Sequence, residues 1–209
     1  MARDTLTSRI LRWLLLAALA GVALQLFFVG RIALMAVVDP SSTTFERSEA
    51  WRIVTEKGAL RWRQQWVPYA QISDHLKRAV IASEDGDFIN HDGVEWEAIE
   101  KAWQKNTQAE ELAAKRAART PPGRPAPATK APKIVGGSTI TQQLAKNLLL
   151  SGERTLLRKG QEFVLTMALE LLLSKQRILE IYLNHVEWGE GVFGAEAAAQ
   201  HYYRKPASK

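Results

Sequence analysis

Apolar residues along this chain form one long uncharged run near the N-terminus, followed by shorter stripes at helical spacing. The run Trp13–Val29 carries no formal charge over 17 residues, and the segment 32–38 is apolar again after Arg31. Seventeen residues lie close to the lower limit for crossing a bilayer, and flanking arginine side chains extend that reach. The pattern therefore predicts a membrane anchor over residues 13–38.

Charges beside this run predict its orientation. Arginines dominate the basic tail 1–12, whereas Asp39 follows the run, so we expect the N-terminus in the cytoplasm and the remainder outside. A cleaved signal peptide is an alternative, because Ala18-Leu19-Ala20 resembles a cleavage site. The apolar run continues well past Ala20, which favours a retained anchor over a cleaved peptide or a buried core helix.

The juxtamembrane segment 39–66 is rich in tryptophan and arginine. Trp51, Trp62 and nearby arginines form a mixture that suits the membrane interface. The same mixture could stack on single-stranded nucleic acid, but the extracytoplasmic location argues against that partner. Ordinary packing of the tryptophans into the domain is an equally favoured interpretation.

Stripes of apolar residues predict a mostly α-helical body over residues 67–209. Ile72, Leu76 and Val80 predict a helix that leads into Glu84, and a second amphipathic helix follows Gly93. Five of the eight prolines lie in the segment that follows it. Its first part, 108–119, could form a short surface helix, but we expect a disordered loop over 107–133.

Helical order returns at a glycine-rich helix start. Thr139 and Gln142 match a capping box, and the expected buried stripe of this helix is Ile140, Leu144 and Leu148. Further helices are predicted over 155–174, 175–184 and 195–203. The first of these repeats Phe163, Met167 and Leu171 every four residues, and the second pairs Ile178 with Tyr182 and Leu179 with Leu183. No segment alternates convincingly as a strand, so the fold class is mostly α.

Composition excludes several classes of function. The net charge is +6, but residues 1–12 contribute +2 and residues 104–133 contribute +5, which leaves −1 for the remainder. The excess lies in a tail and a loop rather than on a folded basic face, so no nucleic-acid partner is expected. The chain has no cysteine, which excludes disulfides, thiolate catalysis and cysteine-ligated zinc.

Two groups of charged residues are candidates for chemistry. Glu84 and Asp85 follow an apolar segment that could hold a carboxylate partly desolvated, as suits a group that removes a proton. Arg158, Lys159 and Glu162 lie on adjoining parts of one helical face, with further cations just upstream. Each group also has a purely structural interpretation. Glu84 and Asp85 could simply end a helix in an acidic loop, and Arg158, Lys159 and Glu162 could form a solvated helix face with an ion pair.

Two carboxylates by themselves suggest hydrolysis of a sugar bond. The neighbouring cations Lys146, Arg154, Arg158 and Lys159 favour a phosphorylated leaving group instead, because departing pyrophosphate needs fixed positive charge. The order of residues is not that of a Walker loop. The four histidines show no paired ligand spacing, so a histidine metal site is not expected.

Four segments of the sequence follow one another in a fixed order. They are Glu84-Asp85-x-x-Phe88-x-x-His91-x-Gly93, Gly136-Gly137-Ser138-Thr139-Ile140-Thr141-Gln142-Gln143 with Lys146-Asn147, Arg158-Lys159-x-x-Glu162, and Lys175-x-x-Ile178-Leu179-Glu180-x-Tyr182-Leu183-Asn184. Together they resemble the motifs of the biosynthetic peptidoglycan glycosyltransferases, glycosyltransferase family 51, in their monofunctional membrane-anchored form. The resemblance covers about residues 67–208.

This resemblance implies a lysozyme-like helical fold and the polymerisation of lipid II into β-1,4 glycan strands by an inverting displacement of polyprenyl pyrophosphate. Glu84 would match the general base, and Glu162 the second essential carboxylate, whose role stays open. The implied substrate-binding residues are Asp85, Phe88, His91, Ser138, Thr139, Gln142, Gln143, Lys146, Asn147, Arg154, Arg158 and Lys159.

The resemblance also implies partners and a location. We expect lipid II, the growing glycan and the bacterial inner membrane as partners, a periplasmic catalytic domain, and separate transpeptidases or division proteins. No obligatory cofactor is expected, although Mg²⁺ or Mn²⁺ could accompany the pyrophosphate. The alternatives are a muramidase-like enzyme that cleaves peptidoglycan and a non-catalytic membrane-anchored module.

Three departures from the family pattern bear on these expectations. Glu95 stands where the family usually has aspartate, and residues 104–133 are longer than the usual joining segment. The sequence ends at Lys209, before further helices that the family normally has. A fragment or a truncated chain is therefore expected, with its own activity in question.

Overall fold

The computed structural model describes residues 6–118, 137–153 and 155–209. The described residues form eight α-helices and a small sheet, which confirms the mostly α fold class. The helices are α1 Leu6–Leu34, α2 Thr44–Lys57, α3 Asp74–Glu84, α4 Trp96–Ala118, α5 Ile140–Leu149, α6 Leu156–Leu172, α7 Lys175–His185 and α8 Ala195–Tyr203. The strands are β1 Arg63–Gln64, β2 Glu187–Gly189 and β3 Val192–Phe193, with a single 3-10 turn at Tyr69–Gln71.

Helix α1 is long and apolar enough to cross a membrane, and its most apolar window has no buried residue. The helix ends at Leu34, and residues 35–38, which the sequence included in the anchor, continue as turns. Among the described residues, the C-terminal part of α1 and the turn after it pack against the domain, where Ile32 and Met35 are buried and Phe28 packs against the core. The anchor therefore leaves the domain beside α6, the helix it contacts most.

Helices α5, α6 and α7 pack together to form the centre of the core. The predicted stripe of α5 is confirmed, since Ile140, Leu144 and Leu148 are at most 1% exposed. The predicted pairs on α7 are confirmed as well, because the four side chains Ile178, Leu179, Tyr182 and Leu183 are all buried. This packing holds α5 between α6 and α7, so residues at its start and on its open face are fixed in place.

The predicted stripe of α6 is wrong. Phe163 and Leu171 are 42% and 85% exposed, whereas Leu165 and Leu169 are buried together with Thr166. From Phe163 onward the helix is apolar on nearly every side, so a four-residue repeat could not identify which face meets the core. The exposed apolar face lies on the same helix that contacts the anchor.

One further expectation differs from the structure in part. Helix α4 runs unbroken to Ala118, so residues 107–118 are helical rather than part of the expected loop. The helix that residues 108–119 could form is thus present up to Ala118, as the continuation of α4. Alanine, glutamate, glutamine and lysine dominate this stretch, and their high helix propensity continues the helix until the first prolines approach. Residues 119–136, the rest of the predicted loop and its flank, lie outside the described range.

A three-stranded sheet, which the sequence did not predict, joins the juxtamembrane segment to the end of the domain. The strand order is β1-β3-β2, with β1 parallel to β3 and β2 antiparallel to it. Strands of two or three residues are too short to show alternation. Trp62 stacks on Phe193 at 4.4 Å between ring centroids, whereas Trp51 is 72% exposed. Packing into the domain thus accounts for Trp62 but not for Trp51.

A buried carboxylate–imidazole pair fixes the juxtamembrane segment to α7. Glu46 and His185 are 1% and 2% exposed, and His185 Nδ1 lies 2.7 Å from Glu46 Oε1. The other ring nitrogen lies 3.1 Å from the carbonyl oxygen of Pro40. Because both ring nitrogens face oxygen acceptors, the pair ties the segment after the anchor to the core at two points.

Candidate active site

Glu84 is the last residue of α3, and its side chain points outward from the core. Ser73 caps the start of this helix by accepting a hydrogen bond from the Leu76 backbone N–H. Glu84 is exposed, so the expectation that apolar neighbours would desolvate it is wrong; the buried face of α3 carries Val80 instead. One contact orients the carboxylate, because Gln143 Nε2 donates to Glu84 Oε2 at 3.0 Å.

Asp85, the next residue, is buried and fully bonded. Its side chain is 0% exposed, Oδ2 accepts a hydrogen bond from the backbone N–H of Ile140 at 2.9 Å, and Oδ1 lies 2.8 Å from His91 Nε2. Ile140 opens α5, so the carboxylate satisfies a free N–H at a positive helix end. Asp85 therefore fixes the end of α3 against the start of α5.

His91 completes this connection as a neutral ring. The backbone N–H of Gly93 donates to His91 Nδ1 at 3.0 Å, so the proton must lie on Nε2, which donates to Asp85. Gly93 has φ +85°, and a Cβ there would meet Thr166 Cγ2 at 2.7 Å, so only glycine fits this close approach to α6. Phe88 is 0% exposed beneath the same loop. Asp85, Phe88 and His91, predicted to bind substrate, thus lie under the cleft rather than in it.

The same loop contains a possible set of metal ligands. Ligand atoms of Asp85, His91 and Glu95 lie within 4.8 Å of one another. Both ring nitrogens of His91 and both oxygens of Asp85 are already engaged in hydrogen bonds. An ion would have to break the connection between α3 and α5, so this group does not fit a metal site.

The start of α5 is held by the predicted capping box. Gln142 N donates to Thr139 Oγ1 at 3.1 Å, and Thr139 N donates to Gln142 Oε1 at 3.2 Å. The Thr139 hydroxyl in turn donates to the Gly93 carbonyl at 2.6 Å. Thr139 and Gln142, predicted to bind substrate, are both buried and spend these polar atoms on local structure. Their rigidity fixes the residues of α5 that face outward.

A cavity of about 500 Å³ opens beside α5 and α6. Most of the remaining predicted site residues lie around it. Its lining comprises Ser138, Gln142, Gln143, Lys146 and Asn147 of the second motif, Arg158, Lys159 and Glu162 of the third, Leu150, Ser151 and Gly152 between them, and Thr44, Phe45 and Ser48 of α2. Arg154 lies outside the described residues.

Among the described residues that line this cavity, Glu162 is the single acidic one. It is held between two cations. It is 3% exposed, with Arg158 NH1 at 2.8 Å from Oε2 and Lys159 Nζ paired to Oε1. Arg158, Lys159 and Glu162 together carry a net charge of one positive unit. The exposed Lys146 adds a further positive charge to the cavity. The cavity is therefore suited to an anion.

One buried side-chain atom of the cavity has no partner among the described residues. Arg158 Nε makes no hydrogen bond there, although NH1 of the same guanidinium donates to Glu162 Oε2. An unsatisfied buried donor is unfavourable, and a charged donor more so. An anion seated in the cavity would supply the missing acceptor.

Sequence reasoning missed two groups of site residues. Thr44, Phe45 and Ser48 line the cavity from α2, which the Thr44 hydroxyl fixes to α5 by donating to the Leu148 carbonyl at 3.0 Å. No motif marks these residues, because only the fold brings the juxtamembrane helix to the cavity. Tyr182, predicted only to pack, donates its hydroxyl to Gln143 Oε1 at 3.1 Å.

Comparison with known proteins gives concordant results. A family model described as "Transglycosylase" matches residues 52–115 and 126–209. The chain is similar to proteins named "Biosynthetic peptidoglycan transglycosylase". It is 51% identical to that of Burkholderia thailandensis over 202 residues, covering 95% of this chain and 71% of the relative. It is 52% identical to that of Cupriavidus metallidurans over 209 residues, covering 95% and 78%.

Proposed function

This chain belongs to the transglycosylase family, and we infer from that membership that it is a peptidoglycan transglycosylase, polymerising lipid II into glycan strands. One observation carries the assignment of its residues. Gln143 lines the cationic cavity and also holds the Glu84 carboxylate, so a base and an anion site adjoin across one side chain. A hydrolase needs no such cluster of fixed positive charge, whereas departure of pyrophosphate does.

The cationic cavity is the proposed site of the donor pyrophosphate. Lys146, Arg158 and Lys159 would neutralise the charge that develops as the sugar C1–oxygen bond breaks. Arg158 Nε is the donor that the pyrophosphate is proposed to satisfy, since it has no acceptor among the described residues. Arg154 is proposed to join them on the basis of the family resemblance alone.

Glu84 is the proposed general base. Its exposed carboxylate accepts the proton from the 4-hydroxyl of the acceptor sugar while that oxygen attacks C1 of the donor. The new bond forms on the face opposite the departing pyrophosphate, which inverts C1 and gives a β-1,4 linkage. The two substrates thus approach from the two sides of Gln143.

Glu162 is proposed to organise the cations rather than to transfer a proton. Both its oxygens are paired, and the carboxylate itself and its partner Arg158 are largely shielded from water. A protein-bound metal fits this cavity poorly. Glu162 is the single acidic residue among the described residues that line the cavity, and it is already paired with two cations. We propose that any Mg²⁺ or Mn²⁺ enters bound to the pyrophosphate oxygens.

The N-terminal helix is consistent with a single-pass membrane anchor. We propose that it places the domain on the periplasmic face of the inner membrane with the N-terminus in the cytoplasm, because arginines precede the span. Both substrates carry polyprenyl tails, so the reaction must take place at the bilayer surface. We propose separate transpeptidases as partners that cross-link the glycan strands.

The base assignment is tested by replacing Glu84 with glutamine in the full chain and measuring glycan formation from lipid II in detergent. We expect a loss of about 10²- to 10⁴-fold, the range for a general base. Asp87→Asn is the matched control, because Asp87 is also exposed, lies three residues away and contacts only Asn90 among the contacts identified. Wild-type turnover in Glu84→Gln would exclude this residue as the base.

A further inference from the structure

Two hydrogen bonds connect a buried hydroxyl on α7 to the carboxylate at the end of α3. The Tyr182 hydroxyl lies 3.1 Å from Gln143 Oε1, and Gln143 Nε2 lies 3.0 Å from Glu84 Oε2. Tyr182 is 3% exposed and Gln143 is half-buried, whereas Glu84 is exposed. The connection thus runs from the core to the surface of the cleft through a single amide.

The direction of these bonds follows from what each group can do. An ionised carboxylate only accepts, so the amide must present its NH₂ group to Glu84. The amide oxygen then faces Tyr182, which must donate its hydroxyl proton. If the amide rotated by half a turn, its oxygen would face the carboxylate and repel it. By donating to the amide oxygen, the tyrosine hydroxyl holds Gln143 in the orientation in which its NH₂ group meets Glu84.

The environment of Tyr182 keeps it a donor. Burial raises the pKa of the Tyr182 hydroxyl well above its usual value, and the negative charges of Glu84 and Asp85 raise it further. The hydroxyl consequently stays protonated over the pH range in which an enzyme of this kind works. Asp85 itself is bonded to His91 and to the α5 backbone, so it does not compete for the amide.

We propose that Tyr182 is a positioning residue, which acts through Gln143 to hold the Glu84 carboxylate in place for proton removal. The proposal rests on the function proposed above, in which Glu84 is the base. It assigns Gln143 to orienting the base rather than to binding the sugar alone. The weak contact of the same amide nitrogen with the Ser138 carbonyl, at 3.5 Å, leaves the bond to Glu84 as the dominant one.

Removing the hydroxyl tests the proposal by steady-state kinetics of the full chain with lipid II. Tyr182→Phe should lower kcat about 5- to 30-fold, as expected for one lost hydrogen bond, with little change in KM. The acidic limb of the pH–rate profile should move to higher pH, because a carboxylate that loses an N–H donor is less easily ionised. Tyr202→Phe is the matched control, since that hydroxyl donates to the Trp188 carbonyl elsewhere.

A double-mutant cycle separates positioning from mere packing. Gln143→Met removes the amide from a half-buried side chain and should shift the acidic limb in the same direction. On that background, Tyr182→Phe should have no further effect on kcat. Independent, multiplying effects or an unmoved acidic limb in either variant would overturn the proposal. If Tyr182→Phe does not fold, an unmoved acidic limb in Gln143→Met still overturns the proposal, because Gln143 would then not orient Glu84.

Failure of this proposal is distinguishable from failure of the proposed function. Full activity in the Glu84→Gln variant would exclude Glu84 as the base, and both the proposed function of Glu84 and the positioning role of Tyr182 would then fail. An inactive Glu84→Gln variant combined with an unchanged acidic limb in Tyr182→Phe would overturn the positioning role alone.

Discussion

Glu84 and Glu162 are the same residue type, yet they differ in exposure and in partners. Gln143 connects their surroundings, because it donates to Glu84 and lines the cavity that contains Glu162. Glu84 is exposed and accepts one identified hydrogen bond from a neutral amide. Glu162 is 3% exposed and pairs with a guanidinium and an ammonium group. The first carboxylate keeps free acceptor capacity for a proton, whereas the second has spent its oxygens on neighbouring cations.

This difference shows that the role of a carboxylate is set by its partners rather than by its place in a motif. A group that removes a proton needs an open lone pair within reach of the substrate. A group that fixes cations needs burial, because water would otherwise weaken each ion pair. Variants of the two carboxylates should therefore differ in whether they mainly affect stability or catalysis.

The largest expected effect is on the buried side. Glu162→Gln leaves Arg158 and Lys159 without a negative partner, and breaking a buried pair in this way costs about 3 kcal/mol or more. Because Lys159 is half-exposed and screened by water, we expect the lower end of that range. Unfolding by heat or urea in detergent micelles should show this loss in the free energy of unfolding.

Glu84→Gln is the control for that prediction. It removes an exposed charge and should change the free energy of unfolding by no more than about 0.5 kcal/mol. Equal destabilisation by the two substitutions would contradict the contrast drawn between the two carboxylates.

The next largest effect concerns the unpaired donor of the cationic cavity. Arg158→Lys keeps a positive charge near Glu162 but replaces the guanidinium by an ammonium group and so removes Nε, which is buried without a partner among the described residues. A hydrogen bond from a charged donor contributes about 2 kcal/mol, so kcat with lipid II should fall by about 30-fold. Arg78→Lys on the exposed surface of α3 is the matched control. An unchanged kcat in Arg158→Lys would mean that Nε meets no substrate atom.

Local signals in the sequence predicted what local interactions determine. The capping box of Thr139 and Gln142 involves residues three apart, so it was readable without the fold. The ion pairs of Glu162 with Arg158 and Lys159 were readable for the same reason, since all three lie within two turns of one helix.

Features that depend on tertiary contact were missed or misjudged. The exposure of Glu84 depends on which face of α3 meets the core. The apolar residues before Glu84 suggested a partly buried carboxylate, and that prediction is wrong. Ser48 lines the cavity only because α2 packs on α5, and Tyr182 reaches Gln143 only because α7 does. The buried face of α6 was misassigned because that helix is apolar on nearly every side from Phe163 onward. Residues far apart in sequence leave no periodic signal of their contact.

The smallest expected effect concerns the connection of the buried side to the anchor. Gln25 of α1 and Gln161 of α6 form a reciprocal amide pair, with Gln25 Nε2 donating to Gln161 Oε1 at 2.6 Å and the reverse bond at 3.0 Å. Gln161 immediately precedes Glu162 on α6. We expect this pair to hold the part of α6 that lines the cationic cavity against α1.

A double-mutant cycle with Gln25→Leu and Gln161→Leu measures that coupling directly. Hydrogen bonds between helices in a bilayer contribute about 0.6 kcal/mol on average, so each single substitution should lower the unfolding free energy modestly in lipid nanodiscs. The double variant should lose about 0.6 kcal/mol less than the sum of the single losses, because neither partner remains to be left unpaired. Additive losses would show that the two amides act independently. In that case the anchor would hold the cleft through the buried contacts of Ile32 and Met35 alone, and the part of α6 that lines the cationic cavity would be no more closely tied to α1 than its packing requires.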